Sequence, residues 1–218
     1  MRRYYWTTTF CKTKTAMNKR QTLQRLAACA VLAGSGTFLA ACSESKPSFS
    51  AVDITGADYA KGFELTDHNG KVRHLSDFAG KVVLMFFGYT QCPDVCPTTM
   101  ADMAGIKKSL GADGERLQVL FVTVDPERDT PELLKAYMEN FDPSFLALRA
   151  TPEKLEALAR DYKIYYKKVE GQTPTSYSMD HSAGSYIYDP KGQLRLFTRY
   201  GSPKEALTKD IQTLLKTG

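Results

Sequence analysis

Two apolar runs, Val82 to Phe87 and Leu117 to Val124, constrain the fold of this chain more than any other feature. Each reads as a buried strand, and near-continuous apolarity suits a central place in a parallel pair covered on both faces. A helix is expected between them, from about Pro97 to Leu110, with Met100, Met103, Ala104 and Leu110 available for its buried stripe. Those methionines are read as core rather than as metal ligands.

The flanking segments extend this βαβ unit. Phe63 to Leu65 and Val72 to Leu75 enclose Asp67-His68-Asn69-Gly70, and Asn-Gly between such arms signals a hairpin. A short helical turn is expected at Leu75 to Phe78. Pro131 to Phe141 and Pro152 to Tyr162 open with proline behind Thr130 and Thr151 as N-caps, the pattern of two helices. Ser185 to Tyr188 and Leu194 to Thr198 flank Asp189-Pro190-Lys191-Gly192 and read as a second hairpin, closed by a helix from about Pro203 to Lys216. The order βαβ, helices, ββα matches an α/β thioredoxin-like architecture: a central mixed sheet flanked by helices, with an N-terminal β-hairpin. In open α/β sheets the functional crevice lies at the C-terminal ends of the strands.

Cys92 and Cys96 fall at that place, in the run Gly88-Tyr89-Thr90-Gln91-Cys92-Pro93-Asp94-Val95-Cys96-Pro97. A helix start offers unpaired N–H groups and the positive end of a dipole, which favour thiolate, the form that attacks disulfides or binds soft metals. Three residues separate the thiols, where a redox pair usually has two, yet this spacing can still close a disulfide. Pro97 restricts Cys96 toward extended backbone, so Cys96 is expected to be an N-cap and both sulfurs to sit in a short loop. The loop could place both on one metal ion, with a third ligand from elsewhere in the chain. Of the three histidines, His68 lies at a hairpin tip and His74 in a strand arm, and neither is a candidate. His181, in Ser178-Met179-Asp180-His181-Ser182, is expected on a loop near the cysteine turn, as a ligand or in a local hydrogen-bonding role.

Cys11, Cys29 and Cys42 belong to a segment that looks like export machinery. After Met17, the basic Lys19, Arg20 and Arg25 precede a mostly apolar run from Leu26 to Ala41 that resembles a signal peptide. The run ends Leu39-Ala40-Ala41-Cys42, which resembles a bacterial lipobox and implies cleavage before Cys42 with a diacylglycerol thioether on its sulfur. Residues 1 to 16 would then be an overlong start. The expected organisation is a leader (1–41), a lipidated tether (42–50) and one thioredoxin-like domain (51–218). Residues 1 to 41 hold seven of the 29 Lys and Arg and none of the 24 acids, leaving 22 basic against 24 acidic residues and a formal charge of −2. The basic character of the whole chain therefore gives no warrant for a nucleic-acid partner. An exported domain meets an oxidising compartment, where unpaired thiols are oxidised unless a reductant or metal keeps them available.

Three motifs together, Gly88 to Pro97, Val124-Asp125-Pro126-Glu127-Arg128-Asp129-Thr130-Pro131, and Asp180-His181-Ser182 through Asp189-Pro190, closely resemble the Sco/SenC family, copper proteins of cytochrome c oxidase assembly. The resemblance runs in order from about Val52 to Leu215. It implies that Cys92, Cys96 and His181 bind one copper ion, a soft S₂N set suited to Cu(I) and able to hold Cu(II). Asp125 and Asp180 could orient the imidazole or tune copper potential, against a plain turn-forming role. The implied function is a membrane-anchored copper metallochaperone serving the dinuclear copper site of a haem-copper oxidase. Its partners would be the oxidase's copper-bearing subunit and other periplasmic copper chaperones or thiol reductants. The implied location is the periplasmic face of a bacterial membrane. A thiol–disulfide oxidoreductase acting through Cys92 and Cys96 without metal is the alternative, although Met179-Asp180-His181 lacks the proline that faces the pair in thioredoxin-type enzymes. A peroxidase is the third reading, and it lacks the proline expected before Thr90.

Overall fold

The computed structural model describes residues 47–173 and 176–218. The leader, the lipobox with Cys42 and the start of the tether lie outside the described residues, so the expectations placed on them stand as stated. Among the described residues no helix is long and apolar enough to cross a membrane.

The two apolar runs form strands β4 (Val82–Gly88) and β5 (Leu117–Thr123), every residue of both buried. They pair in parallel with Val82 opposite Leu117 and Gly88 opposite Thr123. The intervening helix α1 (Val95–Ser109) buries Met100, Met103 and Ile106. A short strand, β6 (Leu146–Arg149), continues the parallel set beyond β5. Three apolar residues ending at a charged Arg149 are a weak signal, and the sequence alone assigns no strand there.

Antiparallel strands complete the sheet. The Asn-Gly hairpin is β2 (Glu64–Asp67) and β3 (Val72–His74), turning through Gly70 at φ 82°, and β2 docks against β6. On the other side β9 (Ser185–Tyr188) pairs with β4, and β10 (Leu194–Thr198) pairs with β9 and with the two-residue β1 (Val52–Asp53). The order is β1-β10-β9-β4-β5-β6-β2-β3, a mixed sheet with the parallel strands near its middle. Helices α2 (Pro131–Glu139) and α3 (Pro152–Asp161) start at Thr130 and Thr151, whose hydroxyls accept the Leu133 and Lys154 N–H groups. The closing helix is α4 (Lys204–Thr217). Its buried Asp210 accepts the N–H groups of Ser50 and Ala51, fixing the point where the chain enters the fold.

A second sheet was not foreseen. Strands β7 (Tyr166–Glu170) and β8 (Tyr177–His181) form a two-stranded ribbon, with Tyr166 opposite His181. It is mostly exposed, so hydrophobic alternation could not announce it.

Candidate metal centre

The fold assembles the site at one end of the central strands. Strand β4 hands over to the cysteine loop at its C-terminal end, beside the end of its parallel neighbour β5. Strand β9 runs antiparallel to β4 with Ser185 opposite Phe86, so the residues before Ser185 arrive at the same end of the sheet. His181 is therefore delivered to the thiols by the β8–β9 connection.

Helix α1 begins two residues earlier than the sequence suggested. Asp94 is the N-cap and Cys96 is the second helical residue, not the cap. Pro97 is compatible with this because the first N–H groups of a helix have no acceptor within it, so a proline there forfeits no hydrogen bond. The free N–H of Cys96 points instead at Cys92 Sγ, 3.4 Å away. The helix thus turns one thiol inward while the loop sulfur covers its opening turn.

The ligand atoms of Cys92, Cys96 and His181 all lie within 4.8 Å of one another, and no other such group of three is found among the described residues. Cys96 is fully buried, Cys92 and His181 partly exposed, and both thiols are free. Cys96 Sγ is 3.3 Å from His181 Nε2. The other ring nitrogen, Nδ1, lies 3.0 Å from the Ser182 carbonyl, which can only accept. Nδ1 therefore carries the proton and Nε2 turns its lone pair toward the sulfurs. Burial also pushes the imidazole pKa down, against the opposing pull of the Ser182 hydrogen bond and the Asp180 charge, which favours the neutral, ligating form. Phe86 and Tyr89 hold the ring edge to face, at 5.9 and 5.8 Å between centroids.

The thiolate expectation needs correction at Cys96. Burial drives its pKa well up, the Cys92 contact adds to this, and a backbone hydrogen bond near Tyr89 opposes it only in part. Enclosure outweighs the helix dipole, so this sulfur is a thiol until a cation compensates the buried charge. The donor set fits a soft metal: two sulfurs and a prepared imidazole, with no carboxylate among them.

His181 is the last residue of β8 rather than part of a loop. Asp125 is buried, and its carboxylate accepts from Arg128 Nε at 2.5 Å and the Tyr177 hydroxyl at 2.9 Å. Asp180 is exposed beside His181. The hydrogen-bond partner that orients the ring is the Ser182 carbonyl, a backbone group no side-chain pattern could reveal. His68 Nδ1 accepts the Ala147 N–H, and His74 caps the 3₁₀ turn Leu75–Phe78. Asp129, a residue of the second motif with no site role assigned from sequence, is a buried hub. Its carboxylate accepts from the N–H and hydroxyl of Thr90, two residues before Cys92, and from Thr123 at the end of β5.

Fold and site together define a thioredoxin-like domain carrying a cysteine–cysteine–histidine metal-binding group. Comparison with known proteins makes this specific: the SCO1/SenC family model matches residues 52–216, and the chain belongs to that family. An SCO2-like protein of Rickettsia felis is 35% identical over 147 residues, covering 66% of this chain and 72% of its own. The mitochondrial SCO2 homolog of Bos taurus is 39% identical over 142 residues, covering 64% of this chain, which spans only 52% of that relative. Among solved structures, Bradyrhizobium japonicum ScoI with copper bound is 36% identical, with a TM-score of 0.64, covering 70% of this chain and 97% of its own.

Proposed function

We propose that this chain is a membrane-anchored copper metallochaperone, holding one copper ion through Cys92, Cys96 and His181 and passing it to the dinuclear copper site of a haem-copper oxidase. The observation that carries this reading is the convergence of the three ligand atoms within 4.8 Å, with Nε2 of His181 free to ligate. The copper-bound state of the Bradyrhizobium relative supports the choice of metal. Transfer proceeds by ligand exchange: Cys92, the more accessible thiol, yields to an incoming donor while Cys96 and His181 retain the ion. Metal-free disulfide chemistry is the weaker use of this geometry, because it needs only Cys92 and Cys96 and leaves the converging neutral imidazole of His181 without a role.

Replacing Cys92→Ser removes one of two soft donors, and the purified variant should lose its copper on passage through a chelating resin while the wild-type chain keeps one ion. Metal analysis checks this. A variant that retained one copper per chain would strike Cys92 from the ligand set.

A further inference from the structure

The β7–β8 ribbon carries His181, yet it is not part of the eight-stranded sheet. The thiols hang from β4 and α1, so the imidazole's place depends on how the ribbon is fastened to the domain. A cleft of about 180 Å³ lies between ribbon and body, with Tyr166, Tyr177 and Met179 on one side and Val124, Pro126 and Leu155 on the other. Packing alone therefore does not close this joint.

Arg128 reaches across it to several groups at once. Arg128 Nη1 donates to the Tyr177 carbonyl on β8 at 2.8 Å and to Gln91 Oε1, the residue before Cys92, at 3.1 Å. Its Nε donates to Asp125, just beyond the end of β5, and Asp125 in turn accepts the Tyr177 hydroxyl. The guanidinium lies 3.4 Å from the Tyr177 ring centroid and 5.7 Å from that of Tyr89, the ring that also packs on His181. Cysteine loop, end of the sheet and histidine strand thus meet on one planar cation. Other polar contacts across the joint each tie down one point: Tyr89 hydrogen-bonds the Met179 backbone, His181 Nε2 meets Cys96 Sγ at 3.3 Å, and Lys168 to Glu127 at 3.7 Å is between exposed groups and contributes little.

We infer that Arg128 is a positioning residue that latches the histidine-bearing ribbon to the cysteine loop and so sets the affinity of the site for copper. Lysine cannot replace it fully: an ammonium supplies the charge but neither the planar fork that reaches three acceptors nor the stacking face. The inference rests on the copper reading above, and its test separates the two. Cu(I) affinity of the purified full chain is measured by competition with a chromophoric chelator, for wild type, Arg128→Ala, His181→Ala and the double variant. Arg128→Ala should weaken binding about 10- to 100-fold, the range usual when a group supporting a ligand is lost. Arg128→Lys should recover part of the loss. In the His181→Ala background the Arg128 change should have no further effect, because the strand it holds no longer presents a ligand. A general loosening of the fold would instead weaken binding equally in both backgrounds, and that outcome, or unchanged affinity in Arg128→Ala, overturns the latch. Should Arg128→Ala not fold, as judged by circular dichroism, the same comparison is made with Arg128→Lys. A wild-type chain that binds no copper would sink the copper reading itself.

Discussion

At the scale of single residues the site depends on what is missing as much as on its donors. Gly88 closes β4, and a methyl group on its α-carbon would stand 2.7 Å from Cys96 Sγ, 2.8 Å from the Phe86 ring and 2.9 Å from the Phe121 ring. None of the three can retreat cheaply, since all are fully buried. Gly88→Ala should therefore cost about 1–3 kcal/mol of stability, the usual range for overpacking a core. It should also weaken copper binding, because Cys96 is the nearest atom to yield. Urea unfolding and the chelator competition check the two effects. A variant with reduced stability and unaltered affinity would show that the rings give way and the sulfur does not. Gly88 can be read in the sequence only as a residue of the motif, since the crowding depends on the inward turn of Cys96 in α1 and on the pairing that brings Phe121 of β5 alongside.

At the scale of elements, the β2–β3 hairpin illustrates how a local turn signal acquires a buried charge. Asp67, fully buried, accepts the N–H groups of Asn69 and Lys71 and pairs with Arg73 Nε at 2.8 Å. Burial alone would raise its pKa, but the guanidinium and the two N–H groups overcome this and hold it below the usual carboxylate range. A carboxyl depressed in the folded state stabilises the protein above its unfolded pKa of about 3.9, and that contribution is lost as the pH falls through the folded value. Asp67→Asn should cost on the order of 1–3 kcal/mol at pH 7. The gap to wild type should narrow at pH 3, below the unfolded pKa, where the unfolded chain takes up a proton that the folded carboxylate resists; an equal gap at both values would refute the charge argument. Elements with strong local chemistry were legible in this way: the Asn-Gly hairpin, the Thr-Pro helix starts, the two buried strands and the Asp-Pro-Lys-Gly hairpin. Helix α1 starts two residues before the expected place because proline is no barrier where an opening turn has no N–H bond to lose. The β7–β8 ribbon was missed because its exposed Tyr-Lys-Lys-Val-Glu strand buries too little to leave a periodic trace.

At the scale of the whole molecule, the distance in sequence between ligands is what the fold resolves. Cys96 and His181 are 85 residues apart and become neighbours only through the pairing of β9 with β4. Composition and periodicity could suggest the thiols, but the imidazole was singled out by the resemblance of its motif. All three candidate ligands lie within the region matched by the family model, which begins at residue 52. The proposed lipid attachment at Cys42 lies ahead of it, and Asp210 secures the chain at Ser50 and Ala51. Anchor and site are therefore expected to be separable. In cells fed labelled palmitate, the wild-type chain should incorporate label and Cys42→Ser should not, since the thioether needs sulfur. Both purified chains should retain one copper ion, because Cys92, Cys96 and His181 all belong to the described domain. Label on the Cys42→Ser chain would refute lipidation at that residue. Loss of copper with loss of label would show that the leader contributes to the site, and the two halves of the proposed function would then have to be treated as one device.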